Sequence, residues 1–226
     1  MTEFAAEETR YEVVEQEPPE LLGRNLSSAG HLLASSTAFF LLAFLFAYFY
    51  LRSLNNAHMF RPKHVDPSLT LGTIVTALVV AGAVAVRLGL ADHRAGRRAQ
   101  WRLKGSAALG LALAAFVLQI VEWLTIGFGP ESGGYASVFL GWTAAQLVCL
   151  LGAAYWLETL LATAIRYRKT LHGAPAPGEA SGDPYRPGHD IADPLSLVRA
   201  GLEAVTFYWT FLAGAAVIAW IVLYLV

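Results

Sequence analysis

The sequence predicts an all-α integral membrane bundle with five transmembrane helices. Three observations point there: long apolar runs, scarce charge, and basic residues gathered in alternate connectors. The apolar runs cover about 32–51, 69–91, 105–126, 135–165 and 202–226. Roughly 20 mainly apolar residues cross the hydrocarbon core as a helix. The 226 residues are 56% hydrophobic and 15% charged, against about 25% charged in a typical soluble domain. The expected organisation is an acidic tail over 1–25 and one membrane domain over 26–226. A flexible connector is expected at about 170–196.

The net charge of −1 conceals an asymmetry. With five crossings, the N-terminal tail and the second and fourth connectors share one side. That side carries 13 of the 16 Lys and Arg residues, and the other carries 3. Cytoplasmic loops are enriched in Lys and Arg, so the N-terminus is expected inside and the C-terminus outside. Basic loops that flank membrane helices fit topology and lipid headgroups better than nucleic acid.

Residues 1–23 carry seven glutamates and no basic-plus-apolar leader. The first helix is therefore expected to act as its own insertion signal. That helix is crowded with aromatics, and Tyr48 and Tyr50 near its far end suit an interfacial belt. Pro62 and Pro67 punctuate the connector that follows. The second helix carries Ala77, Ala81 and Ala85 at intervals of four, a small-residue stripe expected to admit a neighbouring helix. The third ends before Gly127-Phe128-Gly129-Pro130, and the fourth follows Gly133-Gly134. So short a connector predicts an antiparallel hairpin. The stretch 173–194 is rich in Gly, Pro and Ala and reads as a cytoplasmic connector. No internal repeat is evident, which counts against an inverted-repeat transporter.

Polar side chains inside membrane helices are costly and are usually functional or paired. Gln119 and Glu122 stand one turn apart in the third helix, beside Trp123. Thr143 and Gln146 stand one turn apart in the fourth, and Thr206 and Thr210 in the fifth. A transmembrane proton pathway needs a series of relays, and no carboxylate lies at mid-depth. Glu122 is therefore read as an interhelical hydrogen-bonding group, reaching the fourth helix or a neighbouring subunit. Thr143 and Gln146 are read as interhelical contacts. Of the six histidines only His31 lies even at the edge of an apolar run. A bis-His haem site or a three-ligand metal site is not expected. The single cysteine, Cys149, reads as a packing residue.

From the third helix onward the chain resembles subunit III of haem–copper (cytochrome c) oxidases, in a divergent five-helix form. The resemblance covers about 25–226. The family's Q-x-x-E-[YW] stands here as Gln119-Ile120-Val121-Glu122-Trp123. Its Y-G-S-x-F start is matched by Tyr135-Ala136-Ser137-Val138-Phe139. A T-G-F-H-G-x-H segment corresponds to Leu140 through Gln146, and Y-W-H-F to Tyr208-Trp209-Thr210-Phe211. In the first helix, Ser36-Thr37, Phe44 and Ala47-Tyr48-Phe49 follow S-E-x-x-F-F-x-x-x-F-x-A-Y-F in part. Gln119, Glu122, Tyr135, Ser137, Tyr208 and Trp209 carry over by identity. The family's glutamate falls at Thr37, and its histidines fall at Thr143, Gln146 and Thr210. Roles attached to those groups do not transfer.

The resemblance implies an accessory subunit that holds no redox centre, with no cofactor of its own. Haem and copper are expected in its partners, the catalytic subunit I and other oxidase subunits, with membrane lipid in the interface. It implies residence in a prokaryotic plasma membrane and support of assembly and sustained turnover. Two rivals are a subunit III-like protein of another respiratory complex, such as the nitric oxide reductase-associated homologue, and a small transporter. A membrane enzyme is disfavoured by the missing His, Cys and acid clusters.

Overall fold

The computed structural model describes residues 19–55, 60–62, 65–173 and 194–226. The tail before Pro19, the expected connector over 174–193, and His58, His64 and His189 lie outside the described residues. Five long helices account for most of the rest. They are α1 (Pro19–Ser53), α2 (Leu69–Arg94), α3 (Arg98–Thr125), α4 (Gly134–Gly173) and α5 (Pro194–Trp220). A π-helical turn, Ile221–Leu225, continues α5, and a short 3-10 turn, Pro130–Ser132, precedes α4. Each long helix contains a segment long and apolar enough to cross a membrane. The shortest segment has 26 residues, about 39 Å at 1.5 Å per residue. That exceeds the hydrocarbon thickness of about 30 Å.

The helices run past the apolar stretches that announce them. α1 starts at Pro19, so residues 19–25, read as the end of the tail, are helical. Proline suits the first helical position because its fixed φ is already helical and its missing N–H would have no partner there. α2 starts where Ser68 caps it, its hydroxyl accepting from the Leu71 N–H at 3.3 Å. α2 and α3 are joined by only Ala95, Gly96 and Arg97. Gly96 takes φ +73°, a left-handed conformation that glycine adopts without a Cβ clash. That reversal lays α2 against α3, the most extensive helix pairing in the fold.

α5 is the central helix. Half of its spanning segment is buried, against 22–28% for the other four. It packs on α1, α2 and α4, while α3 closes against α2 and α4. The ring order is thus α1–α5–α2–α3–α4. The hairpin expected of α3 and α4 is present. Association in lipid rests on packing rather than on apolar burial, so small residues decide how near helices come. The expected contact stripe of α2 does not face the other helices of the bundle. Ala77 and Ala81 are exposed and Ala85 is only half-buried. The buried face carries Val79, Gly82, Val86 and Gly89. A Cβ on Gly89 would stand 3.5 Å from the Trp101 carbonyl oxygen, and one on Gly82 would stand 3.3 Å from the Trp209 indole nitrogen. Glycines one face over, rather than the alanines, set the approach of α3 and α5.

Candidate functional site: a buried polar seam between α3, α4 and α5

At the end of the bundle marked by the 127–133 turn, aromatic and polar groups replace the small-residue core. Tyr48, Phe60, Tyr135, Phe139 and Trp142 are buried together with Leu223 of the π turn. Tyr135 packs edge-on to Phe60 and stacks along Phe139, with centroids 6.0 and 6.1 Å away. The Arg61 guanidinium lies 4.5 Å from the Tyr135 ring centre and pairs with Asp66 at 2.8 Å. Phe60 and Arg61 are thereby held over the start of α4, where the Tyr135 N–H donates to the Phe60 carbonyl at 2.9 Å.

Within this region lies Glu122, fully buried. Gln119, one turn earlier on α3, donates its amide to Glu122 Oε2 at 2.9 Å. The Tyr224 hydroxyl donates to the same carboxyl group, 2.9 Å from each oxygen. The partner expected for Glu122 was the fourth helix or another subunit. Among the described residues it is instead Gln119 and the far end of α5. Two features seat Tyr224. Its ring lies where a Cβ on Gly72 would be, so α2 makes room only because that residue is glycine. The Tyr135 hydroxyl donates to the Leu223 carbonyl at 2.5 Å. The last carbonyls of a helix lack intrahelical partners, and this bond holds one of them.

The link from α3 to α4 comes from Trp123, whose indole N–H donates to Thr143 Oγ1 at 3.0 Å. Thr143 in turn donates to the Phe139 carbonyl at 2.8 Å. Gln146, one turn along, donates to the Leu212 carbonyl of α5 at 2.9 Å. Ser137 is exposed and pins the preceding turn by donating to the Pro130 carbonyl at 2.6 Å. Gln119, Glu122, Trp123, Tyr135, Thr143 and Gln146 thus form one seam, and Ser137 stands beside it.

Tyr208 and Trp209 are not part of it. Tyr208 meets Thr37 of α1, hydroxyl to hydroxyl, at 3.1 Å. Trp209 is fully buried in the core to which all five helices contribute. His31 bonds the Ser27 carbonyl through Nδ1 at 2.8 Å and lies over the Phe207 ring. His93 sits edge-on to Trp101. Cys149 is half-buried against the same core.

Two groups escaped the sequence reading. Tyr224, near the end of the last apolar run, was not singled out. Asp92 lay unnoticed among six basic residues, yet it is buried and organises two of them. Arg97 reaches its Oδ1 at 2.6 Å and Lys104 its Oδ2 at 2.6 Å. Arg94 pairs with Glu203 of α5 at 3.0 Å. Half of that basic cluster is therefore committed to fastening α2 to α3 and α5. The available signal for Asp92 was a lone acid within six residues of four arginines, Arg87, Arg94, Arg97 and Arg98.

The seam can fasten helices and keep a carboxyl group buried in a fixed orientation. Among the described residues no three His, Cys, Asp or Glu side chains gather as a metal site. Comparison with protein-family models and with curated proteins finds no match to this chain.

Proposed function

We propose that this chain is an accessory subunit of a respiratory haem–copper terminal oxidase. In this reading it supports assembly and sustained turnover through contacts with the catalytic subunit and lipid. The carrying observation is the Gln119-x-x-Glu122-Trp123 motif, whose three polar groups each hold an interaction in one buried seam. Five helices able to cross a membrane, with exposed apolar faces such as Phe39, Phe46 and Leu124, suit a multi-pass subunit that meets lipid and partners. The chain sits in a prokaryotic plasma membrane with its N-terminus inside, a placement supported by the lopsided distribution of Lys and Arg. Haem and copper belong to the partner subunits.

The deciding experiment is purification in mild detergent with identification of co-eluting proteins. Co-elution with a haem-bearing catalytic subunit is the expected result. An isolated chain, or one travelling with a solute-transport system, overturns the proposal. Absorbance of the separated chain is expected to show no Soret band.

A further inference from the structure

Beside the Glu122 cluster lies a partly open cavity of about 50 Å³, lined by α2, α3, α4, α5 and the π turn. A buried water needs about 10–15 Å³ of such space, so there is room for roughly three to five. Apolar cavities stay dry, whereas polar ones fill when a water finds two to four partners. Thr76, Gln119, Thr143, Gln146 and Tyr224 all contribute to the wall.

One of these groups has a bond left to make. Gln146 gives its amide N–H to Leu212, but its Oε1 is buried with no hydrogen-bond partner. Thr143, one turn away, cannot supply the missing donor. Its hydroxyl proton goes to Phe139, and its oxygen accepts from Trp123. Buried polar atoms are almost always satisfied by protein or by ordered water.

We propose that this cavity is a water-binding chamber. Ordered water there donates to Gln146 Oε1 and extends the hydrogen-bond network toward Gln119 and the Glu122–Tyr224 pair. The chamber joins polar groups from α2, α3, α4 and the π turn, and it stands whether or not the chain serves an oxidase. The seam is then a hydrated one, with Gln146 as its anchor in α4.

A high-resolution structure of the full chain in its native assembly tests this, followed by pressurisation with xenon. The expected result is water density within hydrogen-bond distance of Gln146 Oε1 and no xenon in the cavity. Gln146→Met keeps the side chain's length and removes the acceptor. It is expected to lose that water and to admit xenon. Xenon in the wild-type cavity without water density overturns the proposal. So does a Gln146→Met protein that keeps every wild-type water. The wild-type map decides alone if the variant fails to fold.

Discussion

The Tyr224 hydroxyl stands 2.9 Å from both carboxyl oxygens of Glu122, joining residues 102 positions apart in the chain. This contact ties the end of α5 to α3, which are not neighbours in the ring of helices. Its strength sets how much the carboxyl group matters to the fold. Hydrogen bonds in membranes average about 0.6 kcal/mol in mutational cycles. Glu122→Gln keeps the shape and can still accept from Gln119 and Tyr224. A mild effect is expected, with the melting temperature in detergent and the retention volume on gel filtration close to wild type. Glu122→Leu strands two buried donors at about 1–3 kcal/mol each. It is expected to melt earlier and to loosen the subunit from its complex. An intact complex that loses turnover with Glu122→Gln would overturn the structural role.

Gly72 is the second control on the same contact. A methyl group there would overlap the Tyr224 ring. Overpacking of this kind costs about 1–3 kcal/mol. Gly72→Ala is expected to displace Tyr224 and to lower stability at least as much as Tyr224→Phe. Combined with Tyr224→Leu, whose smaller side chain vacates the position, its effect should shrink. A double-mutant cycle on melting in detergent measures the coupling, expected to lie in the range of about 0.5–3 kcal/mol for contacting residues. Strict additivity would show that the two positions do not meet.

At the opposite end, Asp92 holds Arg97 and Lys104 across the α2–α3 turn. Asp92 is buried while Arg97 and Lys104 are partly exposed, so removing its charge loses two contacts across the turn without stranding a buried cation. Asp92→Asn keeps the size but removes the charge, and is expected to lower thermal stability more than the exposed change Glu131→Gln. Limited proteolysis at the 95–97 turn should accelerate in the variant. Equal cleavage rates in variant and wild type would refute a fastening role.

The five helices were legible because each needs a long apolar run, and such runs are visible without knowledge of any contact. Their ends were not, since Pro19 and Arg98 begin helices with polar turns that composition reads as connector. The α2 contact face was misread for a related reason. Small residues spaced by four show that a helix can approach, but not from which side. Ala77 and Ala81 face outward, while Gly82 and Gly89 meet Trp209 and α3. Gln119 and Glu122 were found by their one-turn spacing. Their link to Tyr224 was hidden because it depends on the ring order of the helices, which a connector as long as 174–193 leaves open. The π turn at Ile221–Leu225, which positions Tyr224, has no signature in the apolar pattern.

Topology follows from charge. Thirteen basic residues on one side against three on the other set the expectation of an internal N-terminus and an external C-terminus. Reporter fusions within 173–194 and at Val226 should report opposite sides, cytoplasmic for the first and external for the second. A cytoplasmic signal at Val226 contradicts the orientation.

The proposed accessory role makes its own kinetic prediction. A subunit that holds no redox centre is not needed for electrons to reach oxygen. Deleting it should therefore leave the initial oxidase rate of the remaining complex largely intact. A subunit that packs against the catalytic one through helix faces and lipid protects that partner while it works. Its loss should then appear as a shorter active lifetime, with the rate falling faster during continuous turnover. The measurement is oxygen consumption over time for matched amounts of wild-type and deletion complex, with restoration by the intact chain. Glu122→Leu should fall between the two, because it weakens the fastening of α3 to α5 without removing the subunit. An unchanged initial rate together with an unchanged lifetime would rule out the role. Complete loss of the first turnover would instead assign the chain a part in the chemistry itself.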